Sequence, residues 1–340
     1  MKSLSKSETD QWVQWITRNK LNGIEDGELV KVMERRGFSS GEATLLISDT
    51  KASPVYGCAR AVMRKAMNLE SLLNVHLALA EQVENNSMVE RRSGLSREDF
   101  HAQYYALNRP VVITDLMAGW PAYKYWSPEY FKREFGEMTV EIQAGRKTDP
   151  VYEVFLKGHS KRLKMAEFVE MVLAGGATNN YYLTANDRLL EQEGAEKIIK
   201  DFWPFPEYLN DETRERKQFL WFGPKGAVSP LHRDRLNVFM SQVYGRKRVR
   251  LISSHSLHLV YNYESFFSEV DCEHPNLEKF PLFARADMLD VVLQPGEVLF
   301  IPVGWWHHIR SLEISINVSF TNFVFNNDFE KCYLKTTEKG

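Results

Sequence analysis

The sequence predicts a mainly β fold with flanking helices, a sandwich or barrel set behind an N-terminal helical region. Three observations predict it. Residues 1–97 carry apolar side chains at helical spacing, with helix start and stop signals. Residues 98–217 mix strand-like and helical segments without internal repeat. Residues 218–325 break into short apolar runs of strand length, punctuated by Gly245, Pro295-Gly296 and Gly304. Helices followed by many short strands fit helices packed outside a β core.

The elements follow in order. Ser7-Glu-Thr-Asp10 offers a start for a first helix, with Trp12, Val13 and Ile16 on one side. Asp26 precedes a second, carrying Leu29, Val32 and Met33, which Gly37 closes. Ser39-Ser-Gly-Glu42 is a capping box ahead of Leu45 and Leu46. Such helices can bury one another, so residues 1–52 read as a small helical module, a helper or dimer handle. Asp49–Pro54 reads as its linker. Residues 53–97 read as a helical linker, with Val62, Ala66, Leu69, Leu72, Leu73 and Leu77 at helical spacing. Residues 98–325 form one larger domain, and 326–340 a tail. Within it, Arg109–Thr114 and Thr139–Gln143 read as strands. Ser127-Pro128 opens a helix that Gly136 stops, and Lys164–Leu173 is another. Tyr181–Thr184 reads as a strand, followed by helix near Asn186–Phe202.

Composition narrows the function. Hydrophobic residues make up 44% and charged residues 26% of the 340, an ordinary globular balance. The net charge of −2 leaves no bulk basic field for nucleic acid. No run reaches the roughly 18 apolar residues of a membrane span. The polar N-terminus is no signal peptide. Cys58, Cys272 and Cys332 lie far apart and fit unpaired thiols in a reducing compartment. These features place the protein in the cytoplasm.

Three motifs carry chemistry. In Ser229-Pro-Leu-His-Arg-Asp234, the spacing H-x-D puts His232 and Asp234 on one face of a strand. Taken alone it is weak, because a strand-end Asp bonding a turn reads the same way. In Gly296–His308, an apolar strand leads through a tight turn into two Trp and two His, and only one of His307 and His308 can face a site. Two histidines and one carboxylate with open positions form the facial triad of non-haem Fe(II) oxygenases. In Gly245-Arg-Lys-Arg-Val-Arg-Leu251, period two places Lys247 with Val249 and Leu251 on the apolar face. A lysine there is costly without an anion, and a cosubstrate carboxylate would satisfy it.

Together these blocks resemble the JmjC-type, cupin-like Fe(II)/2-oxoglutarate-dependent oxygenases. Within them the sequence is most similar to the protein hydroxylases: the asparaginyl hydroxylase called factor inhibiting hypoxia-inducible factor, and the JmjC arginyl hydroxylases. The match spans about residues 98–325. Its most specific parts are Ser229–Asp234, Gln242–Lys247, Asn276–Pro281, Pro295–His308 and Ile316–Phe320, with Asn108–Ile113 and Gly119-Trp-Pro121. The resemblance implies a double-stranded β-helix core, the jelly roll of the cupins. It implies His232, Asp234 and His307 as iron ligands. It implies 2-oxoglutarate held by Lys247 and Ser229, with Tyr182 reaching the cosubstrate and Ser319 lining the pocket. Relatives place an Asn six residues after the first His. Here that position is Val238, and Asn237 serves only if a local bulge turns it inward. Thr321 stands where a Trp is common. The asparaginyl hydroxylase dimerises through C-terminal helices. This chain ends at Gly340, without room for them, so any homodimer is expected to use other surfaces, with the N-terminal helices as the candidate.

The implied activity is a dioxygenase reaction with O₂ and 2-oxoglutarate as cosubstrates, hydroxylating an aliphatic C–H of an amino-acid residue in a protein or peptide. A free or carrier-bound amino acid in biosynthesis is the alternative substrate. N-methyl-lysine demethylation uses the same chemistry, but the chain shows no reader or zinc module. A non-catalytic cupin-like binding or sensor protein is the rival from another class, and the intact triad with Lys247 argues against it. Neither nucleic acid nor membrane is expected as a partner.

Overall fold

In a computed structural model the described residues are 5–83, 87–148, 152, 156–202, 207–262 and 266–333. The chain divides into two compact units, Met1–Leu79 and Ala80–Gly340.

The first unit holds α1 (Lys6–Leu21), α2 (Asp26–Arg35), α3 (Ser40–Ala52) and most of α4 (Pro54–Ala80). Helices α1–α3 bury Ile16, Leu29, Met33, Phe38, Ala43 and Ile47 together, with Trp12 and Trp15 packed against them. The cap of α1 is Ser5 rather than a residue of 7–10: Ser5 and Glu8 form a capping box, as do Ser39 and Glu42 on α3. The stretch read as a linker is mostly helix. Helix α3 runs through Ala52, and α4 begins at Pro54 because Ser53 Oγ accepts the Tyr56 N–H and proline suits a first turn.

Among the described residues the second unit contains α5 (Arg97–Phe100), α6 (Pro121–Tyr125), α7 (Pro128–Phe135), α8 (Met165–Ala174) and α9 (Glu196–Asp201) around thirteen strands. These are β1 (Glu90–Arg92), β2 (Val111–Ile113), β3 (Thr139–Ala144), β4 (Ser160–Lys164), β5 (Tyr181–Tyr182), β6 (Gln218–Gly223) and β7 (Val228–Arg233), followed by β8 (Val238–Tyr244), β9 (Lys247–Ile252), β10 (Met288–Leu293), β11 (Val298–Ile301), β12 (Trp306–Ser311) and β13 (Ser315–Phe320). The helix expected over 186–202 shrinks to α9, because Arg188 (φ +49°) and Gly194 (φ +90°) adopt left-handed backbone that interrupts a helix.

Two sheets form the jelly roll, in the orders β1-β2-β11-β8-β13-β6 and β10-β9-β12-β7, and β4-β3-β5 is a smaller third. One face of the larger sheet packs on the helices through Phe222, Phe239, Phe300, Ile316, Val318 and Phe320. Its other face meets the second sheet, where Val112, Met240, Leu299 and Ile301 pack with Val249, Leu251, Val291 and Leu293. That apolar seal occupies the β9–β10 side of the interior. The β7–β12 side, opposite β13 and β6, is lined instead by buried polar residues: Ser229, Lys247, His307, Ser311, Ser315, Asn317 and Ser319. The cupin architecture therefore places its polar cavity between two sheets sealed at one side.

Candidate metal centre and cosubstrate pocket

Strands β7 and β12 are antiparallel neighbours, with His232 directly opposite His307. Residues directly opposite share a face, so the two imidazoles meet, their ring centroids 4.1 Å apart. Asp234 follows two residues after His232, and its Oδ2 lies 3.6 Å from His307 Nε2. Ligand atoms from His232, Asp234 and His307 all fall within 4.8 Å of one another. Gly304, at φ +80°, donates its N–H to Asp234 O at 3.1 Å, tying the turn before β12 to the end of β7.

The donor chemistry fits a divalent metal. His232 Nδ1 lies 2.7 Å from Pro230 O, and His307 Nδ1 lies 3.0 Å from Trp305 O. A protonated Nδ1 donating to a backbone carbonyl leaves the Nε2 lone pair free to ligate. Burial and the neighbouring His232 push His307 down to about 4, which keeps it neutral. His307 is 3% exposed and Asp234 42% exposed, so the centre opens on the Asp234 side. His308 points to the opposite face of β12, buried near Glu273 and Arg250.

A shift of register between β7 and β12 solves a spacing problem. Ser229 and His232 are three residues apart, an odd number, and a regular strand would send them to opposite faces. They pair with Ile309 and His307, only two apart, so β7 carries an extra residue at a bulge. Both side chains thus face the cavity.

Lys247 opens β9 and is 1% exposed. Its Nζ donates to Tyr182 Oη at 2.8 Å and to Asn317 Oδ1. Among the described residues no carboxylate lies within ion-pair distance of it. Burial pushes its ammonium down to about 7. A buried amine with two neutral partners and no counter-ion fits a carboxylate ligand. Behind it, Arg146 is 1% exposed, lies 4.2 Å from the Tyr152 ring and 5.3 Å from the Tyr182 ring, and donates to Val228 O next to Ser229.

One expected contact, that of Asn237, differs, and Ser319 keeps its inward place. The Asn237 side chain accepts the Val303 N–H at 2.7 Å, and its own N–H is held by Asn327 Oδ1. Strand β8 pairs with β11 without interruption from Val238 to Ser241, so no bulge turns Asn237 into the pocket; it braces the turn before β12. Ser319 shares the inward face of β13 with Asn317, but Asn317 is the residue that meets Lys247. Period two from Ser319 could have pointed to it. Trp221 pairs with Asn317 across β6 and lies 5.8 Å from Tyr182 by ring centroid. Phe267 bridges to His232 and stacks beside it at 5.6 Å. Its ring flanks the candidate metal site at His232, and no local signal marks it.

A double-sheet β core that brings two histidines and a carboxylate together, with a buried lysine on the same face, is the arrangement of the cupin-like metal-binding proteins. A family model described as a cupin-like domain matches residues 97–331. The chain is 37% identical over 233 residues to lysine-specific demethylase 8 of Xenopus tropicalis, covering 66% of this chain and 50% of that protein. It is 34% identical over 242 residues to lysine-specific demethylase JMJ30 of Arabidopsis thaliana, covering 68% and 54%. It is 27% identical over 263 residues to tRNA wybutosine-synthesizing protein 5 of Homo sapiens, covering 74% and 82%. The chain spans about half the length of the two demethylase relatives. It belongs to the cupin-like, JmjC-type family of Fe(II)/2-oxoglutarate oxygenases.

Proposed function

We propose that this chain is a 2-oxoglutarate-dependent dioxygenase that hydroxylates an aliphatic C–H bond of an amino-acid residue in a protein or peptide. One observation carries the reading: His232, Asp234 and His307 converge on the same sheet face as a buried Lys247 that has no carboxylate partner among the described residues. His232 and His307 would present neutral Nε2 atoms to Fe(II), and Asp234 would supply the balancing charge. Bound Fe(II) and 2-oxoglutarate supply the oxidising chemistry with O₂. The chain supplies geometry. Lys247 would hold the far carboxylate of 2-oxoglutarate, with Asn317 and Tyr182 setting its ammonium and Ser229 alongside. Trp221 and Phe267 keep the pocket walls apolar, which strengthens the electrostatic contacts inside. The Asp234 side, open to solvent, is where a peptide side chain would enter.

The reading also assigns the protein to the cytoplasm, where Cys58, Cys272 and Cys332, all unpaired, remain reduced. No described helix is long and apolar enough to cross a membrane.

The printed names of the demethylase relatives favour a second reading, N-demethylation. There the hydroxylated carbon is an N-methyl group, and the product collapses with loss of formaldehyde. One experiment separates the two. The purified chain is incubated with Fe(II), 2-oxoglutarate and panels of peptides, methylated peptides and free amino acids. Succinate release is followed, and the products are weighed by mass spectrometry. Hydroxylation adds one oxygen atom, whereas demethylation removes one methylene. Full succinate production by His232→Ala would contradict both.

A further inference from the structure

Arginines crowd the outer face of the second sheet, and they fall into two groups. Arg248 and Arg250 reach Asp290, and Arg310 reaches Glu273. Arg233, at the end of β7, and Arg235, just beyond it, reach no carboxylate among the described residues. Their guanidiniums converge instead on the same two rings. The Cζ atoms of Arg233 and Arg235 lie 5.1 Å and 4.3 Å from the Phe266 centroid, and 5.9 Å and 5.6 Å from that of Tyr333. Two like charges gathered so closely repel each other. Stacking holds a guanidinium by its face and leaves its N–H edge for an acceptor. Neither side chain has an acceptor among the described residues, and Arg233 Nε is buried without one. A buried donor left unmet costs free energy, which an arriving acceptor would recover.

The pair is tied to the metal centre. Arg233 stands between His232 and Asp234, so its side chain leaves the opposite face of β7, toward the Trp306 ring at 5.6 Å. Phe266 is followed by Phe267, which stacks beside His232. The two arginines therefore border the candidate metal centre from outside the cavity, on either side of the solvent-open Asp234 in the chain. We propose that Arg233 and Arg235 form a subsite for an acidic side chain of the peptide substrate, an Asp or Glu close in sequence to the residue that is oxidised. The proposal deepens the peptide-hydroxylase reading and rests on it. A residue entering on the Asp234 side leaves its neighbours at this rim, and forked guanidiniums suit a carboxylate. Nucleic acid is the weaker occupant. Its binding draws on many cations at once, whereas the net charge here is −2 and the other arginines of this face are neutralised by Asp290 and Glu273.

The test reads binding apart from turnover. The whole chain is held without oxygen in Fe(II) and 2-oxoglutarate. Fluorescent pools of short random peptides are titrated in, one containing Asp and Glu, a second Asn and Gln in their place, a third Lys. The acidic pool should bind about tenfold tighter than the amide pool, and the gap should narrow between roughly 0.05 and 0.3 M salt. Arg235→Ala should remove most of that preference, and Arg235→Lys should restore only part of it, because an ammonium cannot form the fork. Arg235→Glu should favour the lysine pool. Arg233→Met, with far-UV circular dichroism to check folding, should likewise weaken acidic binding. Equal binding of the three pools, or binding of none, would overturn the proposal. So would an acidic preference that survives Arg235→Glu. An RNA oligonucleotide that outcompetes the acidic pool and depends on Arg235 would overturn it in favour of phosphate. Succinate release by the wild-type chain in air, without peptide, keeps the two readings apart. Its absence sinks the oxygenase reading whatever the pools show, and its presence with equal binding sinks the subsite alone.

Discussion

Lys247 is the most costly single side chain in the cavity. Its ammonium has lost water and gained only Tyr182 and Asn317. Burial pushes it down to about 7, below its ordinary range. A bound carboxylate would push it back up. Cosubstrate binding should therefore take up a proton above pH 7, and affinity should fall by up to about tenfold per pH unit there. Calorimetric titration of 2-oxoglutarate in buffers of different ionisation heat checks this, and Lys247→Met should remove the proton uptake. The ligand-free protein responds with the opposite sign. A lysine with a lowered folded pKa destabilises least when neutral, so this group's contribution to stability rises with pH above 7. Asp187 shifts the other way, since burial pushes its carboxyl up to about 6 although it accepts the Glu141 N–H. Its stabilising contribution is complete below the unfolded value near 4 and is lost as pH rises through 6. Asp187→Asn should thus be more stable than the parent at pH 7.5, by about 1–3 kcal/mol, with the gap closing near pH 4 in urea titrations.

At the scale of elements, register decides which side chains meet. The triad was legible because each part carries its own local pattern: H-x-D on one strand, and a histidine behind a Gly-Trp-Trp turn on another. Lys247 was legible from period two. Asn317, Trp221, Arg146 and Phe267 were not. Their places depend on how strands distant along the chain line up, and on a bridge between His232 and Phe267 that nothing in either segment announces. Asn237 shows the converse, for its approach to the cavity required a bulge at the start of β8, whereas β8 is irregular only at its far end, near Val243, and the bulge that turns Ser229 inward lies in β7. The β8–β9 turn is equally exacting. Gly245 sits at φ +67°, and a Cβ there would lie 2.0 Å from Ile314 O. Gly245→Ala should cost about 2–4 kcal/mol in thermal or urea unfolding. It should also weaken 2-oxoglutarate binding, because Lys247 begins the next strand.

At the scale of the molecule, two compact units predict two unfolding events. Trp12 and Trp15 report on the first unit. Fluorescence-monitored urea titration should resolve two transitions, and a metal with a 2-oxoglutarate analogue should raise only the one belonging to Ala80–Gly340. Coincident transitions that shift together would show the units to be energetically inseparable. Within the larger unit the interior is unevenly furnished: β9, β10 and β11 close one side with aliphatic packing, and β13 and β6 offer the other side short polar groups and Trp221. The residues that keep the chain folded are therefore largely different from those that would decide what it admits. Sequence change along β13 could retune acceptance of one molecule over another while melting behaviour stays put, which makes that strand the natural place to begin directed evolution.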